Sequence, residues 1–220
     1  MPVLYFSQLY QKNGGFFVNK KNIPNIVIIS APSGAGKSTL IKGLNKIMPL
    51  KYSISHTTRS PRAGEKDGVE YHFVTLEKFQ ELSQEGAFIE TAFIHSNWYG
   101  TSWQSILSSH ESEDWLILDI DINGFRSVKK NMPDIVSIFV LPPSLDVLKE
   151  RILHRQPLID SFELHERLSI AKTEISAAFE YDYIVLNQDI DKSVDELSFI
   201  LRCEKLRCLR RHDLIRSLCC

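Results

Sequence analysis

The run Ser33-Gly34-Ala35-Gly36-Lys37-Ser38-Thr39 combines two things that phosphate chemistry needs, a pliable backbone and side chains that meet oxygen anions. Glycines at 34 and 36 let successive N–H groups converge on a polyphosphate lying at the positive end of a following helix. Lys37 would reach the β- and γ-phosphates of a nucleoside triphosphate, and the Ser38 hydroxyl would ligate Mg²⁺. The match to G-x-x-x-x-G-K-[ST] departs only at its first position, which is Ala31. A second stretch places Arg59 and Arg62 around Pro61, then Gly64, Glu65 and Tyr71. Guanidinium forks bind phosphate oxygens in pairs, and a tyrosine hydroxyl adds a third donor. Asp119 and Asp121 end an apolar run where acidic groups would suit a Mg²⁺ shell, and strand alternation predicts both on one side. Arg151 and Arg155 fall at i, i+4 on a helix.

These groups need elements to hold them. A β-branched run predicts a first core strand over 23–29, and the leucine and isoleucine spacing after Lys37 predicts a helix over 37–47, stopped by Pro49. A short helix follows residue 73 with Leu76, Phe79 and Leu82 on one face, then a strand over 88–93 interrupted by Glu90. By itself that carboxylate reads as a residue on the solvent face of its strand. Further expectations are a helix over 101–110, strands over 115–121 and 135–141, and a helix capped by Ser144 with Leu145, Leu148 and Ile152 inward. A helix over 163–179, a strand over 183–186 and an amphipathic helix from 192 to about 211 complete the chain. Strand and helix alternate throughout, which predicts an α/β fold with a parallel sheet flanked by helices.

The chain has 220 residues with 26 basic and 27 acidic side chains, so any anion site is local and nothing favours nucleic acid as a partner. Its cysteines, at 203, 208, 219 and 220, form no C-x-x-C pair and read as reduced thiols of a cytoplasmic protein. No run is long enough for a membrane span, and the first residues lack the pattern of a signal peptide. Residues 1–22 read as an extension outside the core, either a strand or short helix on its surface or an unstructured arm.

Taken together, residues 30–38, 55–62, 64–65, Gly68, Tyr71, 88–90, 98–101 and 117–121 resemble guanylate kinase, a nucleoside monophosphate kinase of the P-loop NTPase superfamily. The resemblance runs from about residue 23 to 215. It implies a P-loop kinase core and lid (23–50 and 102–220) with an inserted mixed α/β GMP-binding lobe (51–101) and a helical lid. It implies ATP as donor, GMP or dGMP as acceptor, and Mg²⁺ held by Ser38 and, through water, by Asp119. ATP would be bound by residues 33–39 (Ser33, Gly34, Ala35, Gly36, Lys37, Ser38, Thr39) and Asn187. GMP would meet Ser55, Arg59, Arg62, Glu65, Tyr71, Glu90, Tyr99, Thr101, Asp119 and Asp121. In this scheme Glu90 accepts the adjacent N1–H and N2–H₂ donors of guanine, and the hydroxyls of Ser55 and Thr101 donate to O6. Lys37, Arg59, Arg151, Arg155 and Arg167 would stabilise the transferring group. Two departures stand out: the lid reads His154-Arg155-Gln156-Pro157 where the family has Gly-Arg-Gly, and Asn187-Gln188-Asp189 replaces Asn-Asp-Asp. A homo-oligomer is compatible with all of this. The alternatives are a ribose 1,5-bisphosphate kinase-like enzyme, which would not need Ser55, Glu90 and Thr101 as a set, and a non-catalytic guanylate-kinase-like binding module.

Overall fold

The computed structural model describes residues 9–12, 15–18, 25–94, 96–107 and 114–219. Its centre is a parallel five-stranded sheet in the order β11, β10, β3, β9, β4, made of Tyr183–Leu186, Val136–Leu141, Ile26–Ser30, Trp115–Leu118 and Leu50–Tyr52. Alternation along β3 divides the core. Ile26 and Ile28 join Leu116, Leu118, Phe125, Val128 and Phe139 on one face. Val27 and Ile29 join Trp115, Ile117, Ile138 and Val140 on the other, beneath Leu40, Ile41 and Leu44 of α1 (Lys37–Ile47) and Leu197 and Leu201 of α7 (Ile190–Glu204). The central position of β3 sets the phosphate loop at the middle of the sheet's C-terminal edge, where open α/β sheets bind ligands.

The second sheet, in the order β6, β5, β8, β7, contains His72–Phe73, His56–Thr57, Asn97–Ser102 and Phe88–Ile94, with α2 (Leu76–Gln84) beside it. Only β5 and β6 run parallel; β5–β8 and β7–β8 are antiparallel. Lys51 and Tyr52, assigned to the lobe in the sequence reading, pair with β9 and lie in the core sheet. Strands β1 (Leu9–Lys12) and β2 (Gly15–Val18) pair antiparallel, and the rest of the expected extension over 1–22 lies outside the described residues. The remaining elements are α3 (Trp103–Leu107), α4 (Ile122–Asn131), α5 (Leu145–Arg155), α6 (Ser161–Ser176) and α8 (His212–Cys219). No helix among the described residues is long and apolar enough to cross a membrane.

Several expectations needed correction. Thr101 and Ser102 belong to β8, so helix α3 starts at Trp103, and the expected stretch beyond Leu107 lies outside the described residues. Strand β9 ends at Leu118, because Asp121 is needed as the cap of α4: its Oδ1 accepts from Gly124 N at 2.8 Å. Leu76 and Leu145 each begin a helix and stay exposed, leaving Phe79 and the pair Leu148 and Ile152 to anchor those helices. The last predicted helix ends at Glu204, followed by a turn and the separate α8.

Candidate active site

The loop between β3 and α1 carries two glycines in the left-handed region, Gly34 at φ +94° and Gly36 at φ +95°. Gly36 also has no room for a side chain, since a Cβ there would meet Asn187 Nδ2 at 2.3 Å. Lys37 begins α1, and its ammonium is paired with the Asp119 carboxylate. Ser33, Ser38 and Thr39 are exposed around the loop, whereas Ala35 is fully buried. The Ser38 hydroxyl and the half-exposed Asp119 carboxylate are hard oxygen donors of the kind Mg²⁺ prefers. Among the described residues no cluster of three or more His, Cys, Asp or Glu could hold a metal. That donor set fits an ion that takes most of its shell from phosphates and water.

Across the cleft, the lobe is organised by Glu90, 6 % exposed. A register shift in β7 between Phe88 and Glu90 sets Glu90 opposite Thr101. Its Oε1 accepts from Thr101 N at 2.9 Å and from Thr101 Oγ1 at 2.5 Å. Its Oε2 faces Gly124, where a Cβ would approach it to 3.0 Å. Burial pushes the Glu90 carboxyl above its usual range; the two Thr101 hydrogen bonds pull the other way, and Asp121 nearby adds to the rise. Ser55 Oγ lies 3.4 Å from Thr101 Oγ1. The Thr101 hydroxyl therefore spends its proton on Glu90, contrary to the expectation that it donates toward a base, and Ser55 is left as the better placed donor.

Arg59 donates from Nη2 to Glu65 Oε1 at 2.9 Å and from Nη1 to Ser60 O at 2.8 Å, with its guanidinium 5.4 Å from the centre of the Tyr71 ring. Tyr71 meets Tyr99 edge to face at 5.8 Å. Burial raises the Tyr71 hydroxyl, helped by Tyr99 and by Asp119 on the core side of the cleft. Glu65 also accepts from Arg62 N at 2.7 Å, and the Arg59 hydrogen bond is the main reason its carboxyl sits below the usual range. Its oxygens thus orient Arg59 and the 59–65 turn. Arg62 and Arg155 are exposed. Arg167 pairs with Glu163 at 2.7 Å one turn earlier on α6.

Three of the expected residues carry contacts within the protein. Asp121 caps the start of α4 and lies near enough to Glu90 and Glu174 to raise both carboxyls, while Asp119 pairs with Lys37. Arg151 does not face outward: its Nη1 donates to Ala35 O at 3.1 Å and its Nη2 to Asn187 O at 3.2 Å. Asn187, expected among the ATP-binding residues, is 2 % exposed with its amide nitrogen 2.6 Å from Ala35 O. One carboxylate was missed altogether. Glu174 lies on α6 three residues after the buried Ala171, which shares a core cluster with Ala35 of the phosphate loop. Burial raises it, Lys37 lowers it and Asp121 raises it. Its i+7 spacing from Arg167, on the face of α6 assigned to the cleft, was the available signal.

Residues 23–204 match the guanylate kinase family model. The chain is 46 % identical over 187 residues to a guanylate kinase of Histophilus somni, covering 83 % of this chain and 89 % of that one. It is 41 % identical over 187 residues to a guanylate kinase of Legionella pneumophila, covering 84 % and 89 %. Among solved structures, the guanylate kinase of Anaplasma phagocytophilum superposes with a TM-score of 0.69 at 32 % identity, covering 90 % of this chain and 96 % of that one.

Proposed function

This chain belongs to the guanylate kinase family and phosphorylates GMP with ATP as donor, and we propose a division of that work among the residues of the cleft. The loop 33–39 and Lys37 hold the triphosphate, Arg59, Arg62, Tyr71 and Tyr99 hold the GMP phosphate, and Ser55 with Glu90 reads the base. Arg151, Arg155 and Arg167 supply positive charge from the lid side. Ser38 and, through water, Asp119 would hold Mg²⁺, which when bound neutralises charge on the transferring phosphates. The acceptor phosphate is largely ionised at neutral pH, so no side chain has to remove a proton from it. The residues act by positioning and by opposing the repulsion of two polyanions. A cytoplasmic location belongs to the same proposal.

The observation that carries this reading is the buried carboxylate of Glu90. Guanine presents two adjacent donors to such a group. Adenine presents an acceptor at N1, leaving the carboxylate opposed and unpaired, which is a large discrimination in a water-poor site. A coupled ADP-release assay with AMP, GMP, dGMP, CMP and UMP as acceptors tests it: turnover confined to GMP and dGMP is expected. Equal turnover with AMP would remove Glu90 as the reader of the base.

A further inference from the structure

Asn187 follows β11 and is tied to the core from two directions. Its N–H donates to Leu141 O at the end of β10, 2.8 Å away, and its Nδ2 donates to Ala35 O in the phosphate loop at 2.6 Å. The same Ala35 oxygen accepts from Arg151 Nη1 at 3.1 Å, while Arg151 Nη2 donates to Asn187 O at 3.2 Å. The amide is packed so closely that it occupies the space a side chain on Gly36 would need.

The Ala35 carbonyl and the Gly36 N–H belong to one planar trans peptide and point in opposite directions. Drawing the carbonyl toward Asn187 and Arg151 therefore aims the Gly36 N–H away from them, toward the hollow of the loop. From this geometry we infer that Asn187 is a positioning residue for phosphoryl transfer, its Nδ2 acting on the triphosphate through the Ala35–Gly36 peptide while its Oδ1 is buried without a hydrogen-bond partner. The inference rests on the kinase reading above. Arg151 comes from α5, so the peptide has two donors that belong to different elements. Were the Arg151 guanidinium drawn to a phosphate, Asn187 would still hold the loop.

The test uses the full chain carrying Asn187→Ala, with ATP and GTP as alternative donors and GMP as acceptor. A misplaced loop donor should lower kcat about ten- to a hundredfold, by the same factor for both donors, with a smaller change in donor KM. The ratio of ATP to GTP use should stay at its wild-type value, and GMP affinity by titration should stay within about twofold because the lobe is untouched. A collapse of that ratio with kcat preserved would show that Asn187 reads the base and would overturn the inference, as would wild-type kcat for both donors. If the alanine variant fails to bind GMP, Asn187→Asp keeps the volume and presents an acceptor to the Ala35 carbonyl; the same equal loss for both donors is expected. Hydrogen exchange of the peptide covering 31–38 should quicken in either variant, and unchanged exchange counts against the brace. This last readout does not depend on catalysis, so it separates failure of the inference from failure of the kinase reading, which the wild-type acceptor series decides.

Discussion

Glu90→Gln separates what a carboxylate does for binding from what it does to the fold. Oε1 is held by both Thr101 donors, so the glutamine oxygen takes that place and its NH₂ replaces Oε2. Guanine would then meet a donor where it needs an acceptor. Losing a hydrogen bond to a charged group costs about 1.5–3 kcal/mol, so the GMP dissociation constant should rise about ten- to a hundredfold by titration calorimetry. The free protein should respond in the opposite sense. Burial raises the Glu90 carboxyl, so between an ordinary carboxylate pKa and the raised one the folded chain binds more protons than the unfolded chain. Stability from this group is therefore lost as pH rises through that window, and glutamine removes the penalty. The variant should melt no lower than the wild type near pH 7, with its NH₂ directed toward the Asp121 side of the pocket. GMP affinity of the wild type should weaken as pH falls through the raised pKa, and that dependence should be absent from the variant. An unchanged GMP dissociation constant, or a melting temperature that falls along with affinity, would refute the reasoning, since the second outcome marks Glu90 as a structural residue.

Further outcomes follow from the same geometry. Lys37→Ala removes the ammonium at the start of α1 and should cost about three orders of magnitude in turnover in the coupled assay, the scale of a principal charge stabiliser; wild-type turnover would end its assignment. Arg59→Lys loses the planar fork shared between Glu65 and Ser60 O and its seat on Tyr71. GMP affinity should fall about tenfold or more, and an unchanged value would free Arg59 from the phosphate role. The His56 ring lies 4.7 Å from that of His72, tilted by 37°, and meets Phe88 edge-on, and its pKa is lowered first by burial and then by His72. The unfolded chain then binds more protons as pH falls from about 6.5 through the lowered value, so stability is lost in that window. His56→Phe should flatten the drop in melting temperature between pH 7 and 5; an identical drop would assign the acid sensitivity elsewhere.

What the sequence disclosed was local. Helix α1 at 37–47 and strand β11 at 183–186 were legible because their signals, a glycine-rich entry and a short apolar run, lie within the elements themselves. The Ser144 cap was legible for the same reason: its side chain accepts from Val147 N three residues on. The misreadings at residues 90 and 187 required a partner distant in the chain. Nothing near residue 90 announces a β-bulge, which is settled by pairing with residues 101 and 102. Nothing near residue 187 announces a carbonyl at 35. The overlong strand over 115–121 was a local miss, since Asp121 caps α4 through Gly124 N only three residues on. The departure from the family pattern at residues 187–189 gave no hint that the neighbours of Asn187 in the structure tie it to the loop.

A cleft for two polyanions in a chain of net charge −1 has to concentrate its cations locally. Several of them also carry a carboxylate: Lys37 with Asp119, Arg59 with Glu65, and Arg167 with Glu163. These pairs differ in shielding. Arg167 and Glu163 are 30 % and 45 % exposed at their side chains, where an ion pair contributes little and yields readily to a phosphate. Arg59 and Glu65 are 14 % and 18 % exposed, and Glu65 is also bound by Arg62 N. A guanidinium has five N–H donors, so Arg59 can keep Glu65 on one nitrogen and still offer others to a phosphate. On the proposed division of roles, the shielded pair is expected to aim its arginine before the nucleotide arrives, and the exposed Arg167–Glu163 pair to exchange its partner. Salt should therefore weaken the lid-side contribution to donor binding more than the lobe's hold on GMP, because screening acts chiefly on the exposed charges.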